Sequence, residues 1–153
     1  MQTRLLPIRY PAYAVALVGL MATAQTGAQQ ARTGTVKAMQ GEVSVVRADG
    51  SQPALPGFGL MERDRVVTGP ASAATIGMRD GTRITVGPGS TVDLSSFQFE
   101  PTKQEGSMVL ALLKGSVRFV TGILGKRNPD SVRISTSTAT VGIRGTDFIL
   151  EAP

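Results

Sequence analysis

Glycine, proline and Asp-Gly interrupt this chain at short intervals from Gly34 onward, and between them lie short stretches rich in Val, Ile, Thr and Leu. The 153 residues include 18 glycines and 9 prolines, which break the chain too often for helices of ordinary length. Short β-branched stretches between such breaks are typical of β-strands. The sequence therefore predicts an all-β fold of short strands.

We expect strands near residues 36–39 and 42–47 and at RVVT, SAATIGMR, TRITV, STVDLS, MVLALLKG, GSVRFVTG, VRIST and ATVGIRGTDFIL. MVLALLKG is ambiguous because its leucines would also suit a helix, but the strict alternation of the following GSVRFVTG favours strands for both. Loops are expected at QPALPGFGLMERD and FQFEPTKQEGS, and a turn at LGKRNPDS.

The most specific pattern is a near-repeat. ATIGMRDGTRI begins at Ala74 and ATVGIRGTDF begins at Ala139, and the two strings match in order once Asp80 is treated as an insertion. GEVSVV at Gly41 and GSVRFV at Gly115 precede the two copies. This order predicts an internal duplication, in which two similar units bury their apolar faces by stacking.

Two architectures fit such units, a β-solenoid-like stack and a two-sheet sandwich. In both, strand alternation would point one side-chain set inward: Ala74, Ile76 and Met78 in the first copy, and Ala139, Val141 and Ile143 in the second. A glycine within a strand indicates a bend or a close approach of another segment. We therefore expect Gly77 and Gly142 where two layers cross.

The first 24 residues have the order of a secretory signal peptide. Arg4 and Arg9 precede an apolar run at residues 12–22, and Ala22-Thr23-Ala24 supplies a small-x-small cleavage site. The alternative, a permanent membrane anchor, would need a run of roughly 20 apolar residues. We expect cleavage after Ala24, export to the periplasm with no membrane span remaining, a disordered leader at residues 25–33 and one β domain at residues 34–153.

Composition limits the chemistry. The chain has no His and no Cys, so the usual general bases, thiol nucleophiles and transition-metal ligands are absent, and we expect no cofactor and no enzymatic activity. The carboxylate pairs Glu62 with Asp64 and Asp80 with Asp93 are interpreted as solvated turn residues. The net charge of +5 comes from scattered residues, not from a cluster, so nucleic-acid binding is not expected.

VRISTSTATVGIRGTDF, DGTRITVGPGSTVDL and LLKGSVRFVTG resemble the FecR domain, the periplasmic domain named after the ferric-citrate-type iron regulators. The resemblance spans roughly residues 37–150. Thr136-Ser137 stands where the family usually has Thr-Pro, and only eleven residues precede the apolar run, where full regulators carry an anti-sigma segment. The family also commonly continues past Phe148, so we expect either a short or a truncated version.

The repeated corners supply the candidate site. Its residues are Gly77, Arg79, Gly81 and Thr82 in the first copy and Gly142, Arg144, Gly145, Thr146 and Phe148 in the second. Arg144 either locks its corner through carboxylates or carbonyls or presents its donors to an acidic ligand. The equivalent position of Arg79 favours a structural role for both arginines and for the motif as a whole.

Two functions remain. One is a non-catalytic periplasmic FecR-like domain that acts by protein-protein interaction in envelope signalling or scaffolding, with a partner whose identity the sequence does not reveal. The alternative is an envelope module that binds peptidoglycan or another polysaccharide. Sugar sites favour stacked aromatic rings, and this chain has no Trp and 5 Phe, so the protein-binding hypothesis is preferred. A link to iron uptake does not follow from the family name.

Overall fold

The computed structural model describes residues 31–153, most of which lie in strands. The strands are β1 (Gly34–Gln40), β2 (Val43–Arg47), β3 (Gly50–Pro53), β4 (Gly59–Leu60), β5 (Arg65–Thr68), β6 (Ala73–Met78), β7 (Arg83–Val86), β8 (Thr91–Glu100), β9 (Glu105–Val120), β10 (Val132–Thr136), β11 (Thr140–Gly142) and β12 (Asp147–Ala152). A short helix α1 (Ile123–Arg127) and a 3-10 turn (Pro129–Ser131) follow β9. The all-β prediction is confirmed.

The strands form one curled sheet whose spine is β9, with 16 residues. Hydrogen-bonded neighbours follow the order β3-β2-β5-β8-β9-β7-β6-β1-β4, while β10 and β12 also pair with β9, and β11 pairs with β10. The first part of β9 joins β8 and β10, and its last part joins β7 and β12. We call the strands around these parts the first half-sheet (β2, β3, β5, β8, β10, β11) and the second half-sheet (β1, β4, β6, β7, β12).

The two half-sheets meet where β9 bends at Gly115. This residue has a φ of +86°, which favours glycine, and a Cβ there would collide with Ser90. The hydroxyl of the buried Ser90 accepts a hydrogen bond from Ser116 N at 2.9 Å, and Thr68 Oγ1 donates to the Gly87 carbonyl at 2.6 Å. These contacts hold the segment between β7 and β8 against the bend, so the sheet curls there.

Both half-sheets contribute to a single hydrophobic core. Along β6 the predicted inward set, Ala74, Ile76 and Met78, is buried, as strand alternation requires. In the second copy only Ile143 is buried, whereas Val141 is half-buried and Ala139 is exposed. The expectation was wrong for Ala139 because it lies in a turn before the three-residue strand β11, where its N–H donates to Thr136 Oγ1 at 3.1 Å.

Several predicted boundaries differ from the structure. MVLALLKG and GSVRFVTG are strands as expected, but they form the single strand β9. β8 extends to Glu100 and pairs with the start of β9, so the predicted loop FQFEPTKQEGS shrinks to residues 101–104. The predicted loop QPALPGFGLMERD contains β4 and the end of β3, and the predicted turn LGKRNPDS contains most of α1. Cross-strand pairing, which local composition does not report, accounts for the extended strands.

The curled sheet corresponds to neither predicted architecture in full. A solenoid has parallel coils, whereas pairing among the described strands is antiparallel except between β9 and β10. A sandwich has two separate sheets, whereas the two half-sheets here are joined through β9. The layer-crossing hypothesis was wrong for both glycines. A Cβ at Gly142 would meet nothing within 4 Å, and one at Gly77 would meet the Lys37 side chain from the adjacent strand β1.

At the N-terminus, the predicted signal peptide at residues 1–24 and part of the predicted leader lie outside the described residues. Thr33 is buried, and its backbone N–H donates to the Leu60 carbonyl at 2.8 Å. Thr33, the last residue of the predicted leader, is therefore attached to the β domain. Within residues 31–153, no helix has the length and apolar composition needed to cross a membrane.

Candidate functional site

The two copies of the repeat lead into strands on opposite edges of β9. Gly81, with a φ of +83°, precedes β7, and Gly145, with a φ of +135°, precedes β12. Arg83 and Asp147 both pair with Val120, and the following residues, Ile84 and Phe148, both pair with Phe119. The Gly-Thr corners therefore occupy corresponding positions on either side of the same strand. The duplication itself stays a prediction.

Both corners bond to the residues that follow β9. On one side, Gly122 N donates to Thr82 Oγ1 at 3.0 Å. On the other side, Thr121 N donates to the Thr146 carbonyl at 2.8 Å, and Thr121 Oγ1 donates to the Gly145 carbonyl at 3.1 Å. We call these residues the Gly-Thr junction: Gly81, Thr82, Thr121, Gly122, Gly145 and Thr146. Its hydrogen bonds fix the ends of β7, β9 and β12 relative to one another.

Asp80, the inserted residue of the first copy, is fully buried beneath this junction. Its carboxylate accepts hydrogen bonds from Thr82 Oγ1 at 2.7 Å, Thr82 N at 3.1 Å and Leu124 N at 3.4 Å. Its carbonyl accepts from Ile123 N at 2.8 Å. A buried carboxylate is stable only with such partners, so Asp80 ties the first corner to α1.

The interpretation of the paired carboxylates as solvated turn residues was therefore wrong for Asp80, and it was also wrong for Asp64. The buried Asp64 carboxylate accepts two hydrogen bonds from the Arg47 guanidinium, both at 2.8 Å, and one from Met61 N at 2.8 Å. Hydrogen bonding to Asp64 raises the pKa of Arg47 above its usual value. Asp93 is half-buried and accepts two hydrogen bonds from Arg65, at 2.6 and 2.8 Å.

The two motif arginines have different surroundings. The Arg79 guanidinium lies 5.6 Å from the centre of the Phe97 ring and donates to the Phe99 carbonyl at 3.4 Å. Arg144 is exposed and donates no side-chain hydrogen bond to any described residue. The expected anchoring contact of Arg144 is therefore not seen among the described residues, whereas Arg79 contacts Phe97 and Phe99 on β8.

Phe148, the last motif residue, closes the core beside β9. Its ring stacks on that of the fully buried Phe119, with 5.4 Å between the ring centres. The preceding Asp147 accepts two hydrogen bonds from Arg118, at 2.6 and 3.0 Å, on the outer face of the sheet. Hydrogen bonding by Arg118 lowers the pKa of Asp147 below its usual value.

A groove of about 660 Å³ lies on the outer face of the second half-sheet, and sequence reasoning missed it. Its lining includes three cationic side chains and three threonines: Lys37, Arg83, Arg118, Thr75, Thr82 and Thr85. None of the described residues that line it is acidic or aromatic. Strand alternation could have placed Arg83 and Thr85 on one outer face. Lys37 reaches the same groove through an irregularity in β1 between Val36 and Ala38, and no sequence pattern indicates that irregularity.

Among residues 31–153, no group of three or more Asp, Glu, His or Cys side chains is arranged to hold a metal ion. No curated protein and no solved structure matches the chain. The sequence model of the FecR protein family matches residues 64–153, more than half of the chain, and these residues contain both copies of the repeat and the Gly-Thr junction. The resemblance stated above is thereby confirmed, and the chain belongs to the FecR protein family.

Proposed function

We propose that this chain is a non-catalytic, exported envelope domain that acts in signalling or scaffolding by binding another protein. Family membership supports a role connected with envelope signalling. The hydrogen bonds of the Gly-Thr junction support a structural role for the motif, since the Thr82 and Thr121 hydroxyls and the Asp80 carboxylate are used within the domain. The partner then binds groups that these internal hydrogen bonds do not use.

The observation that carries the proposal is the outer edge of β12. Among the described strands, β12 pairs with β9 alone, so its other edge leaves backbone N–H and C=O groups without strand partners. Ile149, at the middle of this strand, is 67% exposed. An edge strand with open backbone groups and an exposed apolar side chain can accept a strand from another protein.

The test is photo-crosslinking in cells that produce the full-length protein. A photoreactive amino acid replaces Ile149 on β12, and the matched control replaces Gln52, which is exposed on β3 at the edge of the first half-sheet. We expect a discrete adduct with one envelope protein from position 149 and none from position 52. Absence of an adduct at position 149, with retention of the protein on purified peptidoglycan, would instead favour the glycan-binding alternative.

Export is part of the proposal and has its own measurement. Mass spectrometry of the protein from a periplasmic extract should give the mass of residues 25–153, because the charged, apolar and small-residue segments occur in signal-peptide order. A mass that still includes residues 1–24 would contradict cleavage after Ala24.

A further inference from the structure

The outer groove of the second half-sheet brings two cations together without a carboxylate between them. Lys37 and Arg83 are both exposed, and neither donates a side-chain hydrogen bond to, or forms an ion pair with, another described residue. Lys37 lies on β1 and Arg83 on β7, with β6 between the two strands. Arg118, the third cation, is already paired with Asp147. The groove therefore has positive charge that the described part of the chain does not neutralise.

Gly77 is what allows Lys37 to lie in this groove. The Lys37 side chain crosses over Gly77, and a Cβ at that position would stand 2.8 Å from Lys37 Cε. Gly77 is in turn the strand partner of Arg83 on β7. The lysine side chain therefore runs across β6 toward the strand that carries the arginine. This gives the motif glycine of the first copy a function in the groove.

The floor of the groove is suited to an extended chain. Thr75 and Thr85 are strand partners on β6 and β7, are half-buried, and donate no side-chain hydrogen bond to a described residue. Their hydroxyls can bond the backbone amides of a ligand. The short side chains at Thr75 and Thr85, next to the Lys37 side chain that covers Gly77, leave the sheet surface low enough for a second backbone to approach.

We propose that this groove binds an acidic, extended segment of a protein partner, with a carboxylate held between Lys37 and Arg83. The inference rests on the proposed function and specifies the chemistry of the partner. Charge complementarity identifies the ligand as anionic. The absence of aromatic residues among the described groove lining favours a peptide over a sugar polymer, since sugar sites favour stacked rings.

The test uses the purified mature protein and an end-capped peptide of alternating Glu and Thr, followed by nuclear magnetic resonance and titration. We expect shifts of the amide signals of Thr75, Gly77 and Thr85, and weaker binding as salt is raised. Lys37→Gln and Arg83→Gln should each weaken binding roughly threefold to fivefold, the scale of one exposed ion pair. Gly77→Ala should also weaken it, because the methyl group displaces the Lys37 side chain without changing the charge.

The matched control is Arg133→Gln, which removes an exposed charge from β10 in the first half-sheet and should leave the affinity unchanged. Equal weakening by Arg133→Gln, or equal binding of a peptide with Gln in place of Glu, would reduce the effect to general electrostatic attraction and overturn the proposal. Tighter binding of inorganic phosphate or soluble peptidoglycan fragments than of the Glu peptide would overturn it as well.

The two proposals fail in distinguishable ways. If the adduct at position 149 forms but the Glu peptide does not bind, the protein-binding function stands and the groove inference is wrong. If the peptide binds but no protein adduct forms, the groove is an anion site and the proposed function is wrong.

Discussion

Arg83 on β7 and Asp147 on β12 lie opposite the same residue, Val120, on the two edges of β9. Each follows a Gly-Thr pair whose atoms bond to Thr121 or Gly122. The repeated string therefore places strands on both edges of the spine. The two copies differ in their buried contacts, since the first corner has the buried Asp80 carboxylate and the second has no equivalent residue.

Thr82 links the buried carboxylate to the end of β9, because its hydroxyl donates to Asp80 and accepts from Gly122 N. We expect Thr82→Val to lower the free energy of unfolding by roughly 1–3 kcal/mol, since two buried polar groups lose a partner. Thr82→Ser keeps the hydroxyl and should retain most of that stability. Urea denaturation of both variants measures the difference, and equal midpoints would contradict this role.

The bend in β9 depends on Gly115. Gly115→Ala should destabilise the fold by roughly 1–3 kcal/mol from backbone strain alone, with a further loss from the collision with Ser90. Gly142→Ala is the control, because φ at Gly142 is not in the positive range and a Cβ there meets nothing within 4 Å. Its effect should stay within about 0.5 kcal/mol. Thermal denaturation that ranked the two variants in reverse order would refute this account of the bend.

Arg47→Met leaves the buried Asp64 carboxylate with the Met61 N–H as its remaining hydrogen-bond donor among the described residues. We expect the free energy of unfolding to fall by roughly 3 kcal/mol. This value lies at the low end of the range for a broken buried ion pair, because the Arg47 side chain is 21% exposed. Arg65→Met breaks a pair whose arginine is 47% exposed and should cost less than about 1 kcal/mol. Chemical denaturation of the two variants gives the comparison, and similar losses would mean that burial does not strengthen the Arg47 pair.

Asp147 should make stability depend on acid pH. Because Arg118 lowers the pKa of Asp147 in the folded state below its usual 3.8, the ion pair contributes stability above that value, and the contribution is lost as pH falls through the lowered pKa. Wild-type protein should therefore melt higher than Asp147→Asn near neutral pH, and the gap should close in strong acid. Glu151→Gln, on the same strand, controls for the loss of one negative charge. A gap that does not change with pH would rule out this linkage.

Arg144→Ala should leave the free energy of unfolding within about 0.5 kcal/mol of wild type, since the exposed side chain bonds to no described residue. The melting temperature should then be nearly unchanged. Arg79→Ala should cost roughly 0.5–1 kcal/mol through loss of its contact with the Phe97 ring. This expectation replaces the shared structural role that the repeat predicted for both arginines. If Arg144→Ala destabilises the fold more than Arg79→Ala, then Arg144 contributes more to stability than Arg79, which would contradict this expectation.

The sequence alone determined the all-β class, the position of most strands and the family. Strand alternation is a local property, so the inward set of β6 could be read from Ala74, Ile76 and Met78 without knowledge of their partners. The Gly-Thr corners were equally visible, because glycine at a positive φ marks a turn wherever the chain runs afterwards.

Only the tertiary structure decided which segments meet. The union of two predicted strands into β9 depends on Ser90, which lies 26 positions from its partner Ser116, and the burial of Asp80 depends on Leu124, which lies 44 positions away. The basic groove depends on an irregularity in β1 and on the pairing of Gly77 with Arg83. Local alternation indicates which face of a strand is buried. The partner of that strand depends on long-range packing and hydrogen bonding, about which the local pattern carries no information.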